Sequence, residues 1–141
     1  MRLLVSGSRG WQDAEAIAAM LRHFIRLSVD AGEEFVLIHG HCPKGADALA
    51  DRAGKELGLR VGEDLIRVPA DWGRQKKAAG PIRNQQMLDE YAPDVLVAFR
   101  ASGKSSGTDD MIGRAEKSGI AAHVMHNRAE VDAFTRHATN A

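Results

Sequence analysis

FVLIHGHCPKGADALA, residues 35–50, decides the fold. Phe35 to His39 is a short, largely apolar run closed by Gly40. A strand buried on both faces of a sheet reads this way, with no alternation of polar and apolar residues. After a loop ending at Gly45, Ala46, Leu49, Ala50, Ala53 and Leu57 fall at helical spacing. Gly58 is placed as the stop of that helix. A buried strand, a glycine-bearing loop and an amphipathic helix form one crossover unit of a parallel sheet.

The same unit recurs on either side. Leu3 to Ser6 is a first strand ended by Gly7, and Asp13 caps a helix carrying Ile17, Met20, Leu21 and Phe24. Leu65 to Val68 is a third strand ended by Pro69, and Ala70 to Gly80 reads as a polar loop. Pro81 suits the first position of a helix reaching Tyr91. Val95 to Phe99 is a fourth strand, followed by the loop Arg100 to Gly107. A helix with Met111, Ile112 and Ala115 then stops at Gly119, before a last strand, Ile120 to Met125. The expected fold is α/β: a Rossmann-like, doubly wound parallel sheet of about five strands. Residues 1–126 form this single domain and residues 127–141 a C-terminal tail or short helix.

Composition narrows the function. A chain of 141 residues with 44% hydrophobic content builds one domain with an ordinary core. Its 19 basic and 19 acidic residues cancel, which disfavours nucleic acid as a partner and a polybasic membrane contact. A local positive pocket stays compatible with neutrality. Cys42 is the one cysteine, so no internal disulfide forms, as in a reducing compartment. The start MRLLVSGSRG lacks the apolar core of a secretory leader, and no apolar stretch approaches the ~20 residues of a membrane span. The expected location is cytoplasmic.

In an open parallel sheet, ligands sit beyond the C-terminal strand ends, at Gly7-Ser8-Arg9, His39 to Gly45, Ala70 to Arg83 and Arg100 to Thr108. Three of these loops enter helices, whose free N–H groups suit phosphate. Glycines such as Gly7, Gly40, Gly45, Gly103 and Gly107 let backbone approach a ligand, or serve only the turns they stand in. Ser106 and Thr108 add donors to the last loop. Arg9, Lys44, Arg83 and Lys104 bring positive charge, although each lysine alone reads equally as a solvated surface charge. Arg83 stands out, because a helix start disfavours a cation and an anion there would relieve the conflict. Trp72 either stacks on a base or packs over the sheet.

Several familiar sites are excluded by spacing. Gly103-Lys104-Ser105 ends like a Walker A loop, but the required earlier glycine is Ala98, inside a strand. Ser6 to Gly10 does not fit a dinucleotide fingerprint. His39, His41 and Cys42 are too close in sequence to surround one metal ion readily, so no metal or cofactor is expected. Asp47, Asp71, Asp109 and Asp110 are the candidate acids; Asp47, Asp109 and Asp110 also read as helix-start carboxylates.

The ordered set Gly7-Ser-Arg9-x-Trp11, His39-Gly40, Lys44-Gly45-Ala46-Asp47, Ala70-Asp71-Trp72, Ala79-Gly80-Pro81-Ile82-Arg83-Asn84 with Met87, and Gly107-Thr108-x-x-Met111 resembles the YspA/YpsA-related branch of the SLOG superfamily. The resemblance covers about residues 2–125. It implies a Rossmann-like fold and binding of nucleotides or nucleotide-derived ligands. The superfamily includes the LOG phosphoribohydrolases, the DNA-processing protein DprA and ligand-sensing domains. In the LOG enzymes an arginine and a glutamate following a P-G-G-x-G-T-x-x-E loop carry the reaction. Arg83 matches the arginine and Gly107-Thr108 the G-T, but the glutamate position is Met111 and the P-G-G is lost in Arg100 to Gly103. Methionine can neither stabilise an oxocarbenium ion nor activate water. Asp110 lies about 100° round the helix from that position.

The leading expectation is therefore a nucleotide-like small molecule, bound by a sensor or binding domain. Its phosphate would rest on the Gly40 to Gly45 and Gly103 to Thr108 loops, clamped by Arg9 and Arg83, with Asp47 and Asn84 on sugar or base. The alternative is an N-glycosidic-bond hydrolase, with Arg83, Asp47 or Asp110 as catalytic candidates. A third reading is a DprA-like nucleic-acid-processing module. A homodimer is expected from the exposed apolar faces of so small a domain and from the resemblance.

Overall fold

A computed structural model describes the backbone of residues 1–139 and the side chains of residues 1–136. Five strands, β1 (Arg2–Gly7), β2 (Val36–His39), β3 (Leu65–Arg67), β4 (Val95–Phe99) and β5 (Ala121–Met125), form one sheet in the order β3-β2-β1-β4-β5. Every pairing is parallel. Among the described residues the α-helices are α1 (Ala14–Asp30), α2 (Ala46–Glu56), α3 (Trp72–Gln75), α4 (Ala79–Tyr91), α5 (Ser106–Lys117) and α6 (Arg128–Thr139).

The uninterrupted apolar strands are explained by cover on both faces. Side chains alternate across a strand. Leu3 and Val5 join Ile17, Met20, Leu21 and Ala50 beneath α1 and α2. Leu4 joins Met87, Leu96, Met111 and Ala115 beneath α4 and α5. Asp13 caps α1 as expected, its Oδ1 accepting from Ala16 N at 3.1 Å. The same carboxylate receives Nε and Nη2 of Arg128, which fastens the start of α6. Val131 of that helix is wholly buried and Phe134 packs on the α1 core. Residues 140 and 141 of the expected tail lie outside the described residues.

One stretch differs from the sequence reading. Ala70 to Gly80 is not a loop: it holds α3, a 3-10 turn (Lys76–Ala78) and the first two residues of α4. The Asp71 side chain accepts from Arg74 N at 3.2 Å and nucleates α3. Pro81 is the third helical residue, not the first, and is tolerated because the first four N–H groups of a helix have no internal partner. Trp72 does not pack over the sheet; it is half exposed and rides over Gly80. Among the described residues, no helix is long and apolar enough to cross a membrane.

The sheet order places the site. From β1 the chain winds outward to β2 and β3, and from β4 to β5 on the other side. The strand direction of winding therefore reverses between β1 and β4, which leaves a crevice beyond their C-terminal ends.

Candidate functional site

Ser8, just past β1, ties the crevice together. Its N–H donates to Phe99 O at 2.9 Å, and its own carbonyl accepts from Ala46 N at 3.2 Å, at the start of α2. Its buried Oγ accepts from Ala101 N at 3.0 Å and lies 2.7 Å from Ser105 Oγ. Ser105 Oγ in turn donates to Thr108 Oγ1 at 3.1 Å. The ends of β1 and β4 and the starts of α2 and α5 are thus locked to one residue.

The glycines divide into two groups. A Cβ at Gly7 would lie 2.4 Å from Ala46 Cβ, and one at Gly40 would lie 2.5 Å from Arg83 Nη1. At Gly45 it would lie 2.4 Å from both Arg9 Cα and Ser8 O. At Gly7 and Gly45 the space is taken by backbone and a Cβ that cannot swing aside; at Gly40 it is taken by the Arg83 guanidinium, which a side chain there would displace. Gly107 is different: a Cβ there meets nothing, although glycine is a poor helix former. Gly103, at φ +91°, shapes the turn before α5 and also faces open space.

Around α5 the donors stay free. Ser105 gives the helix no side-chain cap, and the N–H groups of Ser106, Gly107 and Thr108 have no protein acceptor among the described residues. Arg100 braces the loop before them. Its Nε and Nη2 hold both oxygens of Asp109, at 2.7 and 3.0 Å, while Nη1 reaches the carbonyls of Ala101 and Gly103. The sequence reading assigned Arg100 no role.

Arg83, the fifth residue of α4, turns toward the end of β2. Its Nη1 donates to Gly40 O at 2.5 Å and its Nε to Asn84 Oδ1 at 3.0 Å. The buried Asp47 carboxylate, whose Oδ2 accepts from Cys42 N at 3.1 Å, attracts the guanidinium. Part of the relief that Arg83 needs near a helix start therefore comes from within the chain. Burial pushes Asp47 above the ordinary carboxylate range, opposed by His39, the Cys42 N–H and Arg83. Asp47 thus holds the Gly40 to Cys42 turn. Asn84, 3% exposed, is a brace as well: its Nδ2 donates to Gly107 O at 3.2 Å and to Asp110 Oδ2 at 3.0 Å. Asp110 also receives Arg114 Nε at 2.8 Å. Burial works to raise Asp110, but the bonds from Arg114 and Asn84 hold it below its usual range.

Arg9 is the exception among these groups. It is exposed, has no hydrogen bond or ion pair among the described residues, and repels the neighbouring Arg83. Lys44 and Lys104 are also exposed and unpaired among the described residues; Lys44 lines a separate depression with Trp11 and Arg52. Met111 is wholly buried in the core beneath α5 and does not enter the crevice.

Behind the Gly40 turn lies a polar relay that the sequence reading missed. His39 is wholly buried; its Nε2 meets Asp51 Oδ1 at 2.8 Å and its Nδ1 accepts from His41 N at 2.9 Å. The imidazole is therefore neutral and protonated on Nε2. Asp51 is held from the other side by Arg67, at 2.9 and 2.8 Å. His41 adopts φ +56°, outside the usual range for a side chain, under this hold. Burial lowers the His39 pKa from 6.5, and burial likewise lowers that of His23. The unfolded chain takes up protons as pH falls below about 6.5, whereas the folded one resists them. Stability is thus expected to fall between about pH 7 and pH 5, by at most ~1.4 kcal/mol per pH unit for each histidine. Thermal melts across this range, on the wild type and on Asp47→Asn, which removes the opposing contribution of the raised Asp47, check it; a flat profile in that variant would contradict the neutral, buried His39.

A family model described as YAcAr, the YspA, cpYpsA-related SLOG family, matches residues 1–75. A solved structure of the Moco carrier protein from Chlamydomonas reinhardtii is similar at a TM-score of 0.52 and 17% identity, over 95% of this chain and 81% of that one. A second structure, of the molybdenum cofactor carrier protein MCP from the same organism, gives 0.53 and 16%, over 96% of each chain. At these identities the likeness is one of fold. No curated protein matches in sequence.

Proposed function

Because the chain belongs to the YspA, cpYpsA-related SLOG family, we propose that it binds a small phosphorylated, nucleotide-like molecule in the crevice between β1 and β4. The observation that carries this reading is Arg9: a guanidinium that repels Arg83 and has no ion pair of its own among the described residues. A phosphate between Arg9 and Arg83 would remove that repulsion. The free N–H groups of Ser106, Gly107 and Thr108 offer it a second bank of donors, and the open face of Gly107 lets it come close. Gly7, Gly40, Gly45, Asp47 and Asn84 shape the pocket from behind. Lys44 and Lys104 add field at the rim.

Binding, rather than bond cleavage, is favoured by the acids. Asp47 is committed to the Gly40 turn, Asp110 to Arg114 and Asn84, and position 111 lies in the core. The solved neighbours are named as carriers, and a holding role fits such a pocket. The lone Cys42 supports a reducing, cytoplasmic setting.

The test is a thermal-shift and calorimetry panel of inorganic phosphate, nucleoside 5′-monophosphates and ADP-ribose. Arg9→Ala touches no internal bond and is expected to keep the fold while weakening binding about ten-fold or more. Arg83→Ala is expected to abolish it. Gly107→Ala should slightly stabilise the free protein and still weaken the ligand. Wild-type affinity in Arg9→Ala and Gly107→Ala, or no binder in the panel, would overturn the reading.

A further inference from the structure

Where the loop after β1 meets the start of α2, a depression opens beside the crevice. Its floor is apolar: Ala48 and Leu49 of α2, and Trp11. Trp11 is buried and fixed there, its Nε1 donating to Asp13 O at 2.9 Å and its ring meeting Phe99 edge-on. The exposed rim is Gln12, Lys44 and Arg52. Long helical side chains lean toward the amino end, so Arg52 borders the same depression as Lys44, which stands two turns earlier. Neither cation has an ion pair among the described residues, and Arg52 makes none even with Glu56, four residues on.

The acids that could neutralise this rim are all turned elsewhere. Asp13, next to Gln12, is held by Arg128. Asp47, next to Ala48, is buried and accepts from Cys42 N. Asp51, next to Arg52, is committed to Arg67 and His39. In a chain with as many acids as bases, the lining of this depression carries two cations and no carboxylate. Gly45 is the link to the crevice: it lines the depression, and its backbone packs on Ser8 and Arg9.

We propose that the depression is a second anion subsite, and that the ligand carries two phosphate groups set apart by a sugar or a longer spacer. One phosphate lies between Arg9 and Arg83, the other between Lys44 and Arg52, with the apolar floor under the atoms that join them. This subsite rests on the ligand reading of the crevice and narrows it, because a nucleoside monophosphate would leave Arg52 unused. Two groups on one molecule reinforce each other at adjoining sites, since the second binds at high effective concentration.

Calorimetry on the intact chain tests it, with AMP, adenosine 3′,5′-bisphosphate and the longer 2′-phospho-ADP-ribose as probes. At least one of the two-ended probes is expected to bind about ten-fold or more tightly than AMP. Arg52→Glu and Gln12→Glu are each expected to remove that advantage and leave AMP binding unchanged. Both side chains are exposed and make no bond among the described residues, and circular dichroism with a thermal melt verifies folding. No two-ended probe stronger than AMP, an advantage kept in both variants, or an equal loss for AMP would overturn the second subsite and leave the crevice reading standing. Binding of none of the three probes would overturn both.

Discussion

Gly45→Ala is expected to cost about 3–5 kcal/mol, a large share of the stability of a domain this size. Two separate penalties add. Gly45 has φ +79° and ψ −149°, a region open essentially to glycine alone. The new methyl group would also sit 2.4 Å from Arg9 Cα and Ser8 O, which are backbone atoms and cannot swing aside. Gly103→Ala provides the comparison: it too has positive φ, +91°, but faces open space, and should lose only about 1 kcal/mol. Chemical denaturation of both variants decides the matter. Equal losses would mean that the contact with the β1 loop is not what fixes Gly45.

Asp51→Ala is expected to destabilise by about 2–4 kcal/mol at neutral pH. The carboxylate is 13% exposed and joins three elements: it lies on α2, receives Arg67 from β3 and holds His39 at the end of β2. Its removal strands the Nε2 proton of a wholly buried imidazole. The partners depress the Asp51 pKa, Arg67 most and His39 next among those that lower it, so its stabilising effect is full above the ordinary carboxylate pKa. That effect is lost as pH falls below about 4. The gap between wild type and variant should therefore close in acid. A gap unchanged from neutral pH to acid would show that packing, not charge, is what Asp51 supplies.

The fold was legible because its signals are local. Unbroken apolar runs at Leu3 to Ser6 and Val95 to Phe99 mark strands covered on both faces, and both are strands in the structure. Asp13 and Gly58 announce helix ends with chemistry contained in a few residues. Pro81 was less informative, since proline fits several positions of a first turn alike. The four-residue α3 is too short for any periodicity and rests on one Asp71 cap. At the crevice, the strand-end rule identified the loops but not the division of labour within them. Gly40 looks like a ligand glycine in sequence, yet Arg83, 43 residues later, fills the space its side chain would need. Asn84 reaches Gly107 across 23 residues, and Arg67 reaches Asp51 across 16. Pairings at such distances are products of the sheet order, and no spacing in the chain encodes them. Asp109 at a helix start did carry one usable hint, an arginine nine residues before it.

The sheet order also has a consequence for how the chain is born. Of the five strands β1 is made first, and as the next two emerge β2 can pair along one of its edges and β3 along the far edge of β2. The other edge, Leu3 to Gly7, waits for Val95 to Phe99. For the whole of that interval the nascent protein presents an unpaired apolar strand, the kind of edge on which chains aggregate. The strand that creates the crevice is thus also the one whose late arrival seals the sheet, so a chain cut short before β4 would keep that edge open.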